Sequence, residues 1–264
     1  MKKNILAISS VLIFCVQLSY SQISEKIGLY VSGGGTMPVE SIVGKTFEFP
    51  QLSRDTDSDF FTEVLGREAD SKNIQNYWKT GFNVGGGLRY DINSILAVSA
   101  DFNYNLFRFD ANQLAGDVGN TLQEIPIDPN MNIPYNPDGL TISQGSLNIY
   151  EFSVNVRAQF PLERIRPYIL GGAGYMRVNQ DVISLSYYDD FNIPPLPQQG
   201  NVSFYDQIPA ATYDAVMLNA GAGLAVKLSK NLQPFVQVSY VLGLTEGNDT
   251  ILYPVKFGFL FTLK

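Results

Sequence analysis

Residues 150–160 read Tyr150-Glu151-Phe152-Ser153-Val154-Asn155-Val156-Arg157-Ala158-Gln159-Phe160. Every even position is apolar or aromatic, and every odd one is polar or charged. Side chains alternate between the faces of a β-strand, so this run predicts a strand with one apolar and one polar face. The period recurs on both sides of it. Phe82, Val84, Leu88 and Tyr90 alternate with Asn83, Gly85, Gly87 and Arg89. Leu96, Val98, Ala100, Phe102 and Tyr104 alternate with Ser99, Asp101 and Asn103. Similar runs occupy 216–226, 236–242 and 255–263, although Leu260 interrupts the polar face of the last. Two Gly-rich segments, about 26–36 and 167–178, alternate less cleanly and complete a set of eight.

The connections carry a second pattern. Short links at 91–94, 161–165 and 229–232 alternate strictly with long ones at roughly 37–79, 110–145, 179–212 and 245–252. In an up-and-down barrel this sorts all tight turns to one rim and all long loops to the other, as in outer-membrane barrels. Ten prolines fall in the long connections, and Pro167, Pro234 and Pro254 stand at strand starts, where no ladder is broken. Tyr and Phe gather near both strand ends, as interfacial girdles require. The competing reading is a soluble eight-stranded barrel of lipocalin type, apolar inside and polar outside. Loop sorting and the N-terminal segment favour the membrane.

That segment opens with Lys2 and Lys3, runs through apolar residues 5–8 and 11–16, and closes on Ser19-Tyr20-Ser21-Gln22. This is the layout of a secretory signal, so 1–22 is expected to be a cleaved signal peptide and 23–264 the barrel domain. Phe14 before Cys15 argues against lipidation. Cleavage leaves 16 bases against 25 acids and no cysteine.

Composition removes whole classes of function. The 264 residues include no histidine, which excludes His-dependent triads, dyads and metal sites, and the single cysteine excludes a disulfide framework. A net charge of −7 argues against nucleic-acid binding. Asp55, Asp57 and Asp59, with Glu63 and Glu68, have the spacing of a Ca²⁺ loop, but an EF-hand needs Gly and Glu where Phe60 and Gly66 stand. A solvated acidic loop is the better reading. The glycine clusters lie inside strands, where packing or curvature uses them.

The polar faces converge on a lumenal set of Arg89, Asp101, Glu151, Arg157, Arg177, Lys227 and Lys256. Eight strands leave an interior just wide enough for side chains, so paired charges forming a structural plug are expected ahead of an ion path. No catalytic, cofactor or metal residues emerge.

Arg166-Pro167-Tyr168-Ile169-Leu170-Gly171-Gly172-Ala173-Gly174-Tyr175 resembles the turn-then-strand segment of small bacterial outer-membrane β-barrels, the OmpA/OmpX-like and porin-family barrels. Gln233-Pro234-Phe235-Val236-Gln237-Val238-Ser239-Tyr240 echoes it. The resemblance implies an all-β, eight-stranded antiparallel up-and-down transmembrane β-barrel in the outer membrane, with periplasmic termini and short turns and long extracellular loops. It supplies no shared catalytic residues. Enzymes of similar architecture rely on a histidine that this chain lacks. The expected role is a non-enzymatic membrane scaffold acting through its long loops on an extracellular ligand or an envelope partner, with membrane lipid around it. A small-solute porin and an accessory subunit of a secretion or assembly complex remain the alternatives.

Overall fold

The computed structural model describes residues 26–39, 46–47, 72–73, 77–124, 140–160, 162, 164–192, 199–244 and 249–263. The expected signal peptide, the acidic loop 55–68 and the Pro-rich stretch 125–139 lie outside them. Eight long strands close into one antiparallel barrel. They are β1 (Ile27–Val39), β4 (Gly81–Asp91), β5 (Leu96–Arg108), β7 (Ser146–Gln159), β8 (Ile165–Gln180), β11 (Ala211–Val226), β12 (Leu232–Leu244) and β13 (Thr250–Thr262). Each pairs with its sequence neighbour in the set, and β1 meets β13 from Gly28↔Thr262 to Val39↔Ile251. Closure leaves no open edge in the wall.

The tight turns are built locally. Asn93 Oδ1 accepts from the backbone N–H of Ile95 and of Leu96, both at 2.8 Å, and closes the β4–β5 turn. Ser229 Oγ plays the same part between β11 and β12, accepting from Asn231 at 3.3 Å and Leu232 at 3.1 Å.

The long connections differ from the expectation of plain loops. One contains a helix, Ala111–Glu124, and the short strand β6 (Leu140–Ile142). Another folds into a hairpin of β9 (Ile183–Asn192) and β10 (Gln199–Ile208), and β6 joins β9 to make a three-stranded sheet. A two-residue pair, β2 (Thr46–Phe47) with β3 (Lys72–Asn73), ties the first connection. Asp110 caps the helix: its Oδ1 accepts from the N–H of Gln113 at 3.1 Å, and Lys79 Nζ stands 3.1 Å from its other oxygen. These contacts, led by the Gln113 N–H, hold the Asp110 carboxyl below the usual carboxylate range.

Candidate functional site

Two surfaces of the wall can act, one outside and one inside. On β7 the outward residues Tyr150, Phe152, Val154 and Val156 are exposed, as is Phe160 just past its end. Phe82, Leu88, Ile169, Val216, Phe257 and Phe259 continue this belt around the barrel. Tyr150 to Phe160 spans ten residue steps, which at about 3.4 Å per step and a tilt near 40° gives about 25 Å of height. A contiguous apolar surface of this size demands hydrocarbon rather than water. Its upper limit is visible in the register: Tyr104, Tyr150, Arg177 and Asp214 stand opposite one another across β5, β7, β8 and β11. Below this polar row run Phe102, Phe152, Tyr175 and Val216.

The interior is layered. Nearest the tight turns, Arg89 makes a two-pronged contact with Asp91, Nε to Oδ1 at 2.8 Å and Nη2 to Oδ2 at 2.9 Å. The Arg157 guanidinium carbon lies 3.2 Å from the centre of the Tyr168 ring, a cation–π stack. Asp101 accepts from Asn155 Nδ2 at 2.5 Å and is hydrogen-bonded by Tyr30. Glycines clear space for these rings. A Cβ on Gly223 would stand 2.4 Å from Tyr168 Cζ, and one on Gly258 2.5 Å from Phe235 Cζ. The cavity lined by Tyr30, Arg89, Asp101, Arg157 and Gln237 measures about 30 Å³, room for about two waters.

At mid-height a connected polar network crosses the lumen. Lys256 Nζ donates to Asn103 Oδ1 at 2.8 Å, and Asn105 Nδ2 donates to Glu151 Oε1 at 2.7 Å. Asn105 Oδ1 accepts from Thr36 Oγ1 at 2.7 Å and from Asn83 Nδ2 at 2.6 Å. Glu151 and Lys256 are buried, so these bonds replace the water each charge gives up.

Toward the long connections the interior turns dry. Phe107, Leu147, Ile149, Met176, Val178, Met217, Val241 and Leu252 point inward and are buried. They form one cluster with Tyr77, Trp78, Phe109 and helix residue Leu114, and with Ile183, Leu185 and Ile208 of the upper sheet. Trp78 and Phe109 meet edge to face at 5.4 Å, beyond the ends of β4 and β5. The residues of the connections thus root themselves in the barrel.

Of the sequence-derived lumenal residues, Arg89, Asp101, Glu151, Arg157 and Lys256 lie in the interior layers. Arg177 does not: it points outward, is 51% exposed and stands 3.9 Å from Asp214. It shares its face with Tyr175, and near the strand end that face has left the apolar belt, so a charge is tolerated there. Lys227 is not lumenal either, because β11 ends at Val226 and Lys227 opens an exposed turn. Sequence reasoning missed the dry upper layer. Its signal was the apolar residue on the otherwise polar face at the long-connection end of several strands, as at Leu147, Ile149, Met176 and Met217.

No family model matches the chain, and no curated protein does. Among solved structures, Neisserial surface protein A is 10% identical over 90% of this chain and 97% of its own, with a TM-score of 0.47. Ail, the attachment invasion locus protein of Yersinia pestis, is 13% identical over 90% of this chain and 99% of its own, with a TM-score of 0.38. The N-terminal β-barrel domain of Pseudomonas aeruginosa OprF is 14% identical over 91% of this chain and 100% of its own, with a TM-score of 0.34. The chain is an all-β, closed eight-stranded antiparallel barrel, and its likeness to these small outer-membrane barrels is one of architecture.

Proposed function

We propose that this protein is a non-enzymatic barrel of the bacterial outer membrane that holds a folded cap at the cell surface. The termini and tight turns then face the periplasm, and residues 1–22 serve as a signal peptide removed on export. The observation that carries the reading is the single apolar cluster running from the upper lumen into the helix and the three-stranded sheet. A barrel whose interior anchors its own outer connections presents a fixed surface, suited to meeting a ligand or partner outside the cell. The same cluster and the hydrogen-bonded layers below it argue against a solute pathway. Arg89, Asp101, Glu151, Arg157 and Lys256 act in this reading as a structural lumenal network.

Cysteine reporters test the arrangement. With Cys15 removed alongside the signal, Ser94→Cys and Asp181→Cys place single thiols at a tight turn and at the opposite rim. On intact cells a membrane-impermeant maleimide should label the Asp181 position and spare the Ser94 position until the outer membrane is permeabilised. Labelling of both, or a mature chain monodisperse in buffer without detergent, would overturn the reading.

A further inference from the structure

The rim of tight turns carries an unusual pairing of exposed aliphatic and basic side chains. Leu162 is 58% exposed and Leu228 is 64% exposed, one in each of two neighbouring turns. Between them, the Lys227 N–H donates to the Arg164 carbonyl at 2.8 Å, which fixes the two basic residues side by side where β8 meets β11. Like charges set directly opposite on neighbouring strands are destabilising unless an anion lies between them. Both side chains are exposed, and neither makes an ion pair among the described residues. Just above them the outward pair Ile165 and Val226 begins the apolar belt.

Charge sorting along the chain points the same way. The segments on the tight-turn side, 23–26, 91–94, 161–166, 227–231 and 264, hold six bases and three acids. The long connections, 40–79, 108–146, 177–214 and 245–249, hold seven bases and 20 acids. Of the three acids at the tight turns, Asp91 is already committed to Arg89.

We infer that Arg164 and Lys227 form a binding site for the headgroup of an anionic phospholipid, with Leu162, Leu228, Ile165 and Val226 against its acyl chains. This rests on the membrane reading above and adds a lipid class and an address to it. A phosphodiester gives the two cations a shared counter-ion that no described residue supplies. Arg164 and Lys227 stand past the last outward pair of the ladder, and long basic side chains can turn round the strand end to reach a headgroup. Aliphatic side chains beside them give a reason for the ligand to be a lipid rather than free phosphate.

The test uses the whole mature barrel in a zwitterionic detergent, probed by native mass spectrometry with phosphatidylglycerol and with phosphatidylcholine. Two cations at a membrane surface favour the anionic lipid by about thirtyfold. Retention of phosphatidylglycerol should fall to the phosphatidylcholine level in Arg164→Gln/Lys227→Gln and survive in Arg164→Lys/Lys227→Arg. Millimolar inorganic phosphate should not displace the lipid, whereas high salt should weaken it. Equal retention of the two lipids, indifference to the double Gln variant, or displacement by inorganic phosphate would each overturn the site. Failure of the wild-type barrel to insert into vesicles of any composition would instead overturn the membrane reading and this site with it.

Discussion

Lys256 and Glu151 face each other inside the barrel across the side chain of Asn103. Its Oδ1 accepts from the lysine at 2.8 Å, and it hydrogen-bonds the carboxylate as well. Neither charge has water to fall back on. Replacing Glu151 by Leu strands the ammonium and costs about 3–5 kcal/mol, whereas Glu151→Leu with Lys256→Met removes both charges and costs much less. Urea unfolding in lipid vesicles reads the difference. Strictly additive losses would show that the two residues do not act as a unit.

Tyr168 lies over Gly223 and under Arg157. Gly223→Val puts a branched side chain where the ring sits and should cost about 1–3 kcal/mol by overpacking. Pairing it with Tyr168→Ala should relieve the clash but forfeit the cation–π contact. The barrel-retention shift on unboiled gels, followed against temperature, ranks the variants: Gly223→Val should unfold at lower temperature than wild type. An unchanged midpoint would mean the ring does not occupy that space.

Asp110 joins the helix to the barrel, and its contribution depends on pH. Its folded carboxyl titrates below the ordinary value, chiefly because the Gln113 N–H bonds the charged form. Such a group stabilises the cap fully above the ordinary carboxylate pKa, and this support is lost as pH falls through the lower, folded value. Hydrogen exchange over residues 111–124, taken relative to the intrinsic amide rate at each pH, should quicken on acidification in the wild type. Asp110→Ala should quicken it at neutral pH, by about 1 kcal/mol of local stability. An alanine variant exchanging at the wild-type rate would remove the cap from the account.

Conductance separates a plug from a pore. The dry cluster and the polar layers beneath it predict no stable large openings from the pure protein in a planar bilayer. Removing bulk from the dry layer with Phe107→Ala and Met217→Ala should cost about 2–5 kcal/mol of stability each without opening a path, because the Glu151–Lys256 layer still crosses the lumen. Steady ion flux through the wild-type barrel would reverse this assignment.

The strands were legible because lipid and lumen impose opposite chemistry on alternate residues, as along Tyr150 to Phe160. Arg89, Asp101 and Glu151 could be placed by parity alone. Arg177 could not, because Gly171, Gly172 and Gly174 blur the alternation that would have shown Arg177 sharing the outward face of Tyr175. The helix from Ala111 and the hairpin from Ile183 were hidden for another reason. The helix has few apolar residues, and Leu114 finds its partners only in the distant cluster around Phe107, whereas the hairpin's short alternation Ile183-Ser184-Leu185-Ser186-Tyr187 lies inside a long polar connection. For the helix, tertiary burial rather than local period supplies the regularity.

The sharing of one dry cluster between the lumen and the cap bears on how the molecule comes to be made. In the proposed orientation, Ile183, Leu185, Ile208 and Leu114 belong to segments that cross the bilayer before they can meet Phe107 and Met217. Until they arrive, the upper end of the barrel has an unfilled mouth and wetted apolar walls. With that orientation, maturation is completed from the far side, and the last crossing segment to dock acts as the stopper that seals the vessel.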